Sequence, residues 1–130
     1  MKRHVLIIDD SLTETRVFKA ALESHGYQVS IACNGQEGIE VAQACRPDII
    51  LMDVVMPLLN GFQATRELTQ SNSTAHIPII MCSSKNAKTD RLWALRQGAK
   101  DYLIKPVRTP ELLHIIKLHL SRAGGYEQSV

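Results

Sequence analysis

The sequence predicts a single α/β domain built on a doubly wound, five-stranded parallel sheet. Three observations predict it. From residue 4 to residue 122, short apolar or β-branched runs alternate strictly with amphipathic stretches of helical period. Two of the runs, 49–52 and 79–82, are apolar without a break, as strands buried on both faces require. A helix between each pair of strands implies right-handed crossovers, with helices on both sides of the sheet.

The elements follow in order. HVLII (4–8) is too short for a helix and is halted by Asp9-Asp10. The stretch 12–26 reads as a helix: Val17, Ala20, Ala21 and Leu22 fall at helical spacing, Ser11 is the N-cap with Glu14 three residues on, and Gly26 is the stop. YQVSIA (27–32) alternates as a strand, and the helical pattern 34–47 ends at Pro47. DIILMD (48–53) is a strand, 60–71 a helix, and 72–74 a polar loop. IPIIMCS (77–83) is a strand, 89–98 a helix closed by Gly98, and DYLIK (101–105) a short strand. The last helix, 109–122, carries Pro110 in its first turn, where the missing N–H is an orphan anyway. The domain is read as 1–122, with 123–130 (AGGYEQSV) as a frayed polar tail.

Composition narrows the class. A chain of 130 residues with 45% hydrophobic and 22% charged residues buries a real core. A net charge of +2 with scattered basic residues argues against nucleic-acid or membrane partners. Cys33, Cys45 and Cys82 are odd in number and lack C-x-x-C spacing, so they read as reduced, packed thiols of a cytoplasmic protein. No stretch reaches the ~20 apolar residues of a membrane span.

Ligands of such sheets bind beyond the carboxyl ends of the strands. There this chain places Asp9-Asp10, Asp53, Ser83-Ser84 and Lys105-Pro106. Each has an ordinary reading alone: Asp10 as a helix cap, Lys105 as a solvated loop residue, Ser83 as a turn residue. Three carboxylates at one edge repel unless protons or a cation neutralise them. A hard cation suits such oxygens, and Mg²⁺ fits best because it keeps waters and accompanies phosphate. The set reads as a phosphoryl-transfer site, run by positioning and charge neutralisation. Asp53, the isolated carboxylate, is the natural nucleophile. Asp9 and Asp10 suit the metal, and Ser83 and Lys105 the phosphoryl oxygens.

The segments LIIDDS, PDIILMDVVMPLLNG, IIMCSS and GAKDYLIKP resemble, in order, the receiver family of two-component response regulators. The resemblance covers residues 5–107, and the helix alternation extends it to about 122. It implies a flavodoxin-like (βα)5 fold with strand order 2-1-3-4-5. It makes Asp53 the phosphoacceptor and Asp9, Asp10, Asp53 and the Val55 backbone carbonyl the ligands of Mg²⁺, with Mn²⁺ as a substitute. Ser83 falls on the Ser/Thr switch position, Tyr102 on the aromatic switch, Lys105 on the family lysine, and Lys105-Pro106 on a cis bond. Val55 and Lys85 fall where side chains tune phosphoryl lifetime.

The resemblance also implies a histidine kinase as phosphodonor. Phosphate on Asp53 would draw Ser83 inward and turn Tyr102 in beside it. Output would pass to a protein partner through the helix over 89–97 and the strand over 101–105, since no further domain follows residue 122. The expected state is a monomer or weak dimer without enzymatic action on other molecules. MDVVMPLLNGFQATRELT and DRLWALRQGAKDYLIKPV are similar to receivers of type IV pilus twitching-motility and chemotaxis-type systems, and Trp93 is either core cover or a partner contact. The alternatives are a phosphate sink, a phosphorelay intermediate or a phosphorylation-independent scaffold. A haloacid-dehalogenase-type phosphatase would need an acid at position 55, which is Val. A flavodoxin would need a phosphate loop where this chain has DDSLTET, and a nicotinamide-binding domain needs G-x-G-x-x-G.

Overall fold

The computed structural model describes residues 2–85 and 87–128. Five strands, β1 (His4–Ile8), β2 (Gln28–Ala32), β3 (Ile49–Asp53), β4 (Ile79–Ser83) and β5 (Asp101–Ile104), alternate with five helices. The helices are α1 (Leu12–Ser24), α2 (Gly35–Cys45), α3 (Gly61–Gln70), α4 (Lys88–Arg96) and α5 (Thr109–Gln128). All strand pairs are parallel, in the order β2-β1-β3-β4-β5. The expected fold and strand order are both present.

Register does the positioning. Ile8 pairs with Met52, Asp53 with Cys82, and Ser83 with Ile104. Asp9, Asp53, Ser83 and Lys105 therefore stand within a residue or two of the same rung, at the carboxyl edge.

The sheet divides two cores. Leu6, Ile8, Ile50, Met52, Ile79 and Met81 face α2, α3 and α4 through Ile39, Ala42, Ala64, Leu68 and Ala94. Val5, Ile7, Ile49, Leu51, Ile80 and Cys82 face α1 and α5 through Phe18, Leu22, Leu112 and Ile116. Every residue of β3 and β4 is buried, as their unbroken apolar runs require. Each fully buried Ile, Leu or Met side chain contributes about 1.5–3 kcal/mol.

Local chemistry places the helix starts. Asn34 caps α2 through the Glu37 N–H at 2.8 Å. At α3 the Asn60 and Gln63 side chains exchange bonds with each other's backbone N–H, both at 3.0 Å, completing a capping box. Gly98 closes α4 at φ +110°, and a β-carbon there would also strike Thr69.

Four expectations change. The buried stripe of α1 is Thr15, Phe18 and Leu22, while Val17 is 58% exposed and Ala20 is also exposed. Residues 15, 18 and 22 share one helical face, and Val17 lies off it despite its apolarity. Cys33 and Cys45 are exposed rather than packed; only Cys82 is buried. Helix α5 runs on to Gln128, six residues past Arg122, because extending a formed helix avoids a new nucleation cost even across Gly124-Gly125. The remaining expected tail residues, 129–130, lie outside the described residues. Finally, α4 spans Lys88–Arg96, one residue earlier at each end than the expected 89–97.

Gly61 opens α3 against the end of β3. A β-carbon there would overlap the Asp53 carbonyl, and the Gly61 N–H bonds the Val54 carbonyl at 2.8 Å. Gly61→Ala is expected to lower stability by about 1–3 kcal/mol through overpacking. The shift in urea midpoint at unchanged m-value measures it.

Candidate functional site

At the carboxyl edge, oxygens of Asp9, Asp10 and Asp53 lie within 4.8 Å of one another. Asp9 and Asp53 are buried, at 4% and 8% exposure, and Asp10 is exposed. Lys105, directly after β5, reaches across the edge. Its Nζ lies 3.0 Å from Asp9 Oδ2, 3.1 Å from Asp53 Oδ1 and 3.0 Å from Glu14 Oε1. Asp9 Oδ1 accepts the Ser11 N–H at 2.9 Å, which fixes the carboxylate at the turn into α1. Among the described residues the Asp10 carboxylate, Asp53 Oδ2 and the Val55 carbonyl accept no hydrogen bond. These free oxygens and the acidic trio form a donor set suited to a hard divalent cation. The Lys105-Pro106 peptide is cis, as expected.

Burial raises the Asp53 carboxyl from 3.8 to about 6, helped by the neighbouring Asp9 charge, and Lys105 only partly counters this. Burial alone would lower the Lys105 ammonium. Its bonds to Glu14 and Asp9 and the Asp53 charge outweigh that and hold it above the ordinary lysine value. The lysine is thus a fixed cation, and Asp53 is a buried carboxylate whose charge it compensates only in part. The Cys82 thiol, whose residue pairs with Asp53 across the sheet, is pushed up to about 12 by burial, which favours its protonated form.

Ser83 ends β4 at 1% exposure, and its Oγ accepts the Lys85 N–H at 3.1 Å. Tyr102, expected to swing inward on activation, is already inside at 2% exposure. Its phenol donates to the Lys85 carbonyl at 2.7 Å, and burial raises its pKa. The Lys85 backbone therefore links Ser83 to Tyr102, while its side chain is exposed. Val55 is 57% exposed beside the site. Trp93 is half exposed on α4, where Leu92 and Leu95 are exposed too, and does not cover the core.

Two residues escaped the sequence reading. Glu14 reads as the second half of a capping box. The Ser11 hydroxyl does accept the Glu14 N–H, at 3.3 Å, but the Glu14 carboxylate turns to Lys105 instead of returning to the cap. Nothing local signals a partner 91 positions away. Asp101 joins three elements: its Oδ1 accepts the Tyr102 N–H at 2.8 Å and meets Arg91 of α4 at 3.5 Å, while Oδ2 meets His119 of α5 at 3.0 Å.

The model of the response regulator receiver domain matches residues 5–117. The chain belongs to the response regulator receiver domain family. It is 50% identical over 117 residues to protein PilH of Pseudomonas aeruginosa PAO1, covering 90% of this chain and 97% of that one. The chemotaxis protein CheY4 of Vibrio cholerae superposes with a TM-score of 0.87 at 28% identity, over 91% of this chain and 98% of that one. The receiver domain of the P. aeruginosa PAO1 sensor histidine kinase PA1611 superposes with a TM-score of 0.84 at 34% identity, over 96% and 99%. That structure holds a magnesium ion coordinated in its active-site cleft.

The raised carboxyl makes stability depend on pH. Unfolded, Asp53 loses its proton near 3.8; folded, it holds it to about 6. Ionised Asp53 therefore opposes folding fully above pH 6 and not at all below about 3.8. Without divalent cations, Asp53→Asn is expected to raise stability by about 1–3 kcal/mol at neutral pH. The gain should fade on acidification, as thermal melts across pH would show.

Proposed function

We propose that Asp53 is the phosphoacceptor of this receiver, with a histidine kinase as its donor. One observation carries the reading: Lys105 holds Asp53 Oδ1 at 3.1 Å, while Oδ2 has no partner among the described residues. Oδ2 attacks the donor's phosphorus, a P–O bond forms, and the P–N bond to the donor histidine breaks. Mg²⁺, with Mn²⁺ as a substitute, held by Asp9, Asp10, Asp53 and the Val55 carbonyl, would neutralise charge on the phosphoryl oxygens. Lys105 then exchanges a carboxylate for a phosphoryl oxygen, and the Ser83 hydroxyl turns from the Lys85 N–H toward another. Exposed Leu12 and Val17 on α1, and Val55 and Leu58 in the segment after β3, are apolar side chains on elements that adjoin the site and suit a docking donor protein.

The readout is a shift between two populations. Losing the Ser83 contact loosens the Lys85 segment, whose carbonyl also receives Tyr102. Leu92, Trp93 and Leu95 of α4 and Ile104 of β5 are apolar side chains left exposed on two elements that pack together, which suits a protein partner. Similarity to PilH supports a pilus or chemotaxis-type pathway and a signalling role rather than enzymatic action on other molecules. No helix among the described residues is long and apolar enough to cross a membrane, and a cytoplasmic place fits a histidine-kinase donor.

Acetyl phosphate with Mg²⁺ should label the wild-type chain and leave Asp53→Asn unlabelled. Equal labelling of both overturns the assignment, as does labelling of neither when candidate kinases are also supplied. Val55 cannot orient water through its side chain, and Lys85 can shield the phosphoryl group. Val55→Asn combined with Lys85→Glu should speed loss of label by about tenfold, roughly 1.4 kcal/mol in barrier height.

A further inference from the structure

A second cleft lies at the opposite, amino-terminal edge of the sheet. It is lined by His76, Pro78, Lys100, His119 and Arg122 and holds about 350 Å³. Pro78 and Lys100 precede β4 and β5, and His119 and Arg122 stand three residues apart on α5, on one face. The five residues of β4 separate it from the carboxyl edge by roughly 16 Å.

Its chemistry is one-sided. Four of the five lining side chains are basic and none is acidic. Among the described residues, Lys100, Arg122 and His76 form no ion pair. His119 is only 6% exposed; its Nε2 meets Asp101, and its Nδ1 makes no hydrogen bond among the described residues. Asp101 is already shared among His119, Arg91 and the Tyr102 N–H, so it does not neutralise the cleft. In a chain of net charge +2, the hollow gathers two exposed cations that are unpaired among the described residues, with two imidazoles beside them, and so offers an anion a local excess of donors and positive charge. The volume is at the low end for small-molecule sites. It suits a compact molecule with several anionic oxygens, which Arg122 can grip with two N–H groups.

We propose that this cleft binds a small polyvalent oxyanion, of the phosphate or carboxylate class. The occupant would share His119, and through it Asp101, with the Tyr102 amide and with Arg91 of α4. Its binding is thereby coupled to the switch tyrosine, and the coupling is reciprocal. The site stands independently of the phosphoacceptor assignment.

The test titrates the ¹⁵N-labelled full chain with pyrophosphate and, separately, with citrate, both without divalent cations. Saturable shifts are expected at the amides of Lys100, Asp101 and Tyr102 and around His119. Lys100→Gln with Arg122→Gln alters two exposed side chains and should leave the spectrum folded while weakening binding by at least about tenfold. Binding of one probe alone assigns its class, and equal binding of both assigns recognition by charge. No saturable shift with either probe overturns the proposal. So does affinity unchanged in the double variant, or shifts centred on Lys105.

Discussion

Lys105 is the interaction on which the carboxyl edge depends. One ammonium at 12% side-chain exposure faces three carboxylates, each at 3.0–3.1 Å. Without it, parallel register would bring Asp9 and Asp53 together as uncompensated buried charges, a costly arrangement. With it, the edge forms before any ligand arrives, yet remains short of positive charge, as the raised Asp53 carboxyl shows. The site is held together and left wanting a cation by the same geometry.

The fold was legible because its main signals are local. Runs of four or five apolar residues between capped helices admit few arrangements, and the crossover rule removes most of those. Edges of elements were less legible, since partners elsewhere settle them. The Pro78 carbonyl bonds the Ile50 N–H, although β4 begins only at Ile79. On α1, choosing the core face by apolarity selected Val17, whereas angular position selects Thr15 and Phe18.

The candidate site was legible in its strand ends and illegible in its supports. Asp9, Asp10, Asp53, Ser83 and Lys105 each end or follow a strand, so topology alone predicts their meeting. Glu14 and Asp101 act through partners distant in sequence, and their local readings, a cap and a strand start, were sufficient without those partners. Tyr102 was legible as a position but not as a conformation. Its inward pose combines core packing with a bond to the Lys85 carbonyl, which no pattern in the sequence announces.

The sheet also acts as a partition. Tyr102 packs in the core shared with α2, α3 and α4, and Leu103, its neighbour on the strand, packs in the core shared with α1 and α5. Side chains of the two cores meet only through the backbone between them. A rearrangement around Tyr102 therefore propagates sideways within one compartment, toward α4, while α1 keeps its packing. Such a molecule can hold a donor against one flank while its other flank changes shape, and the two encounters need not exclude each other.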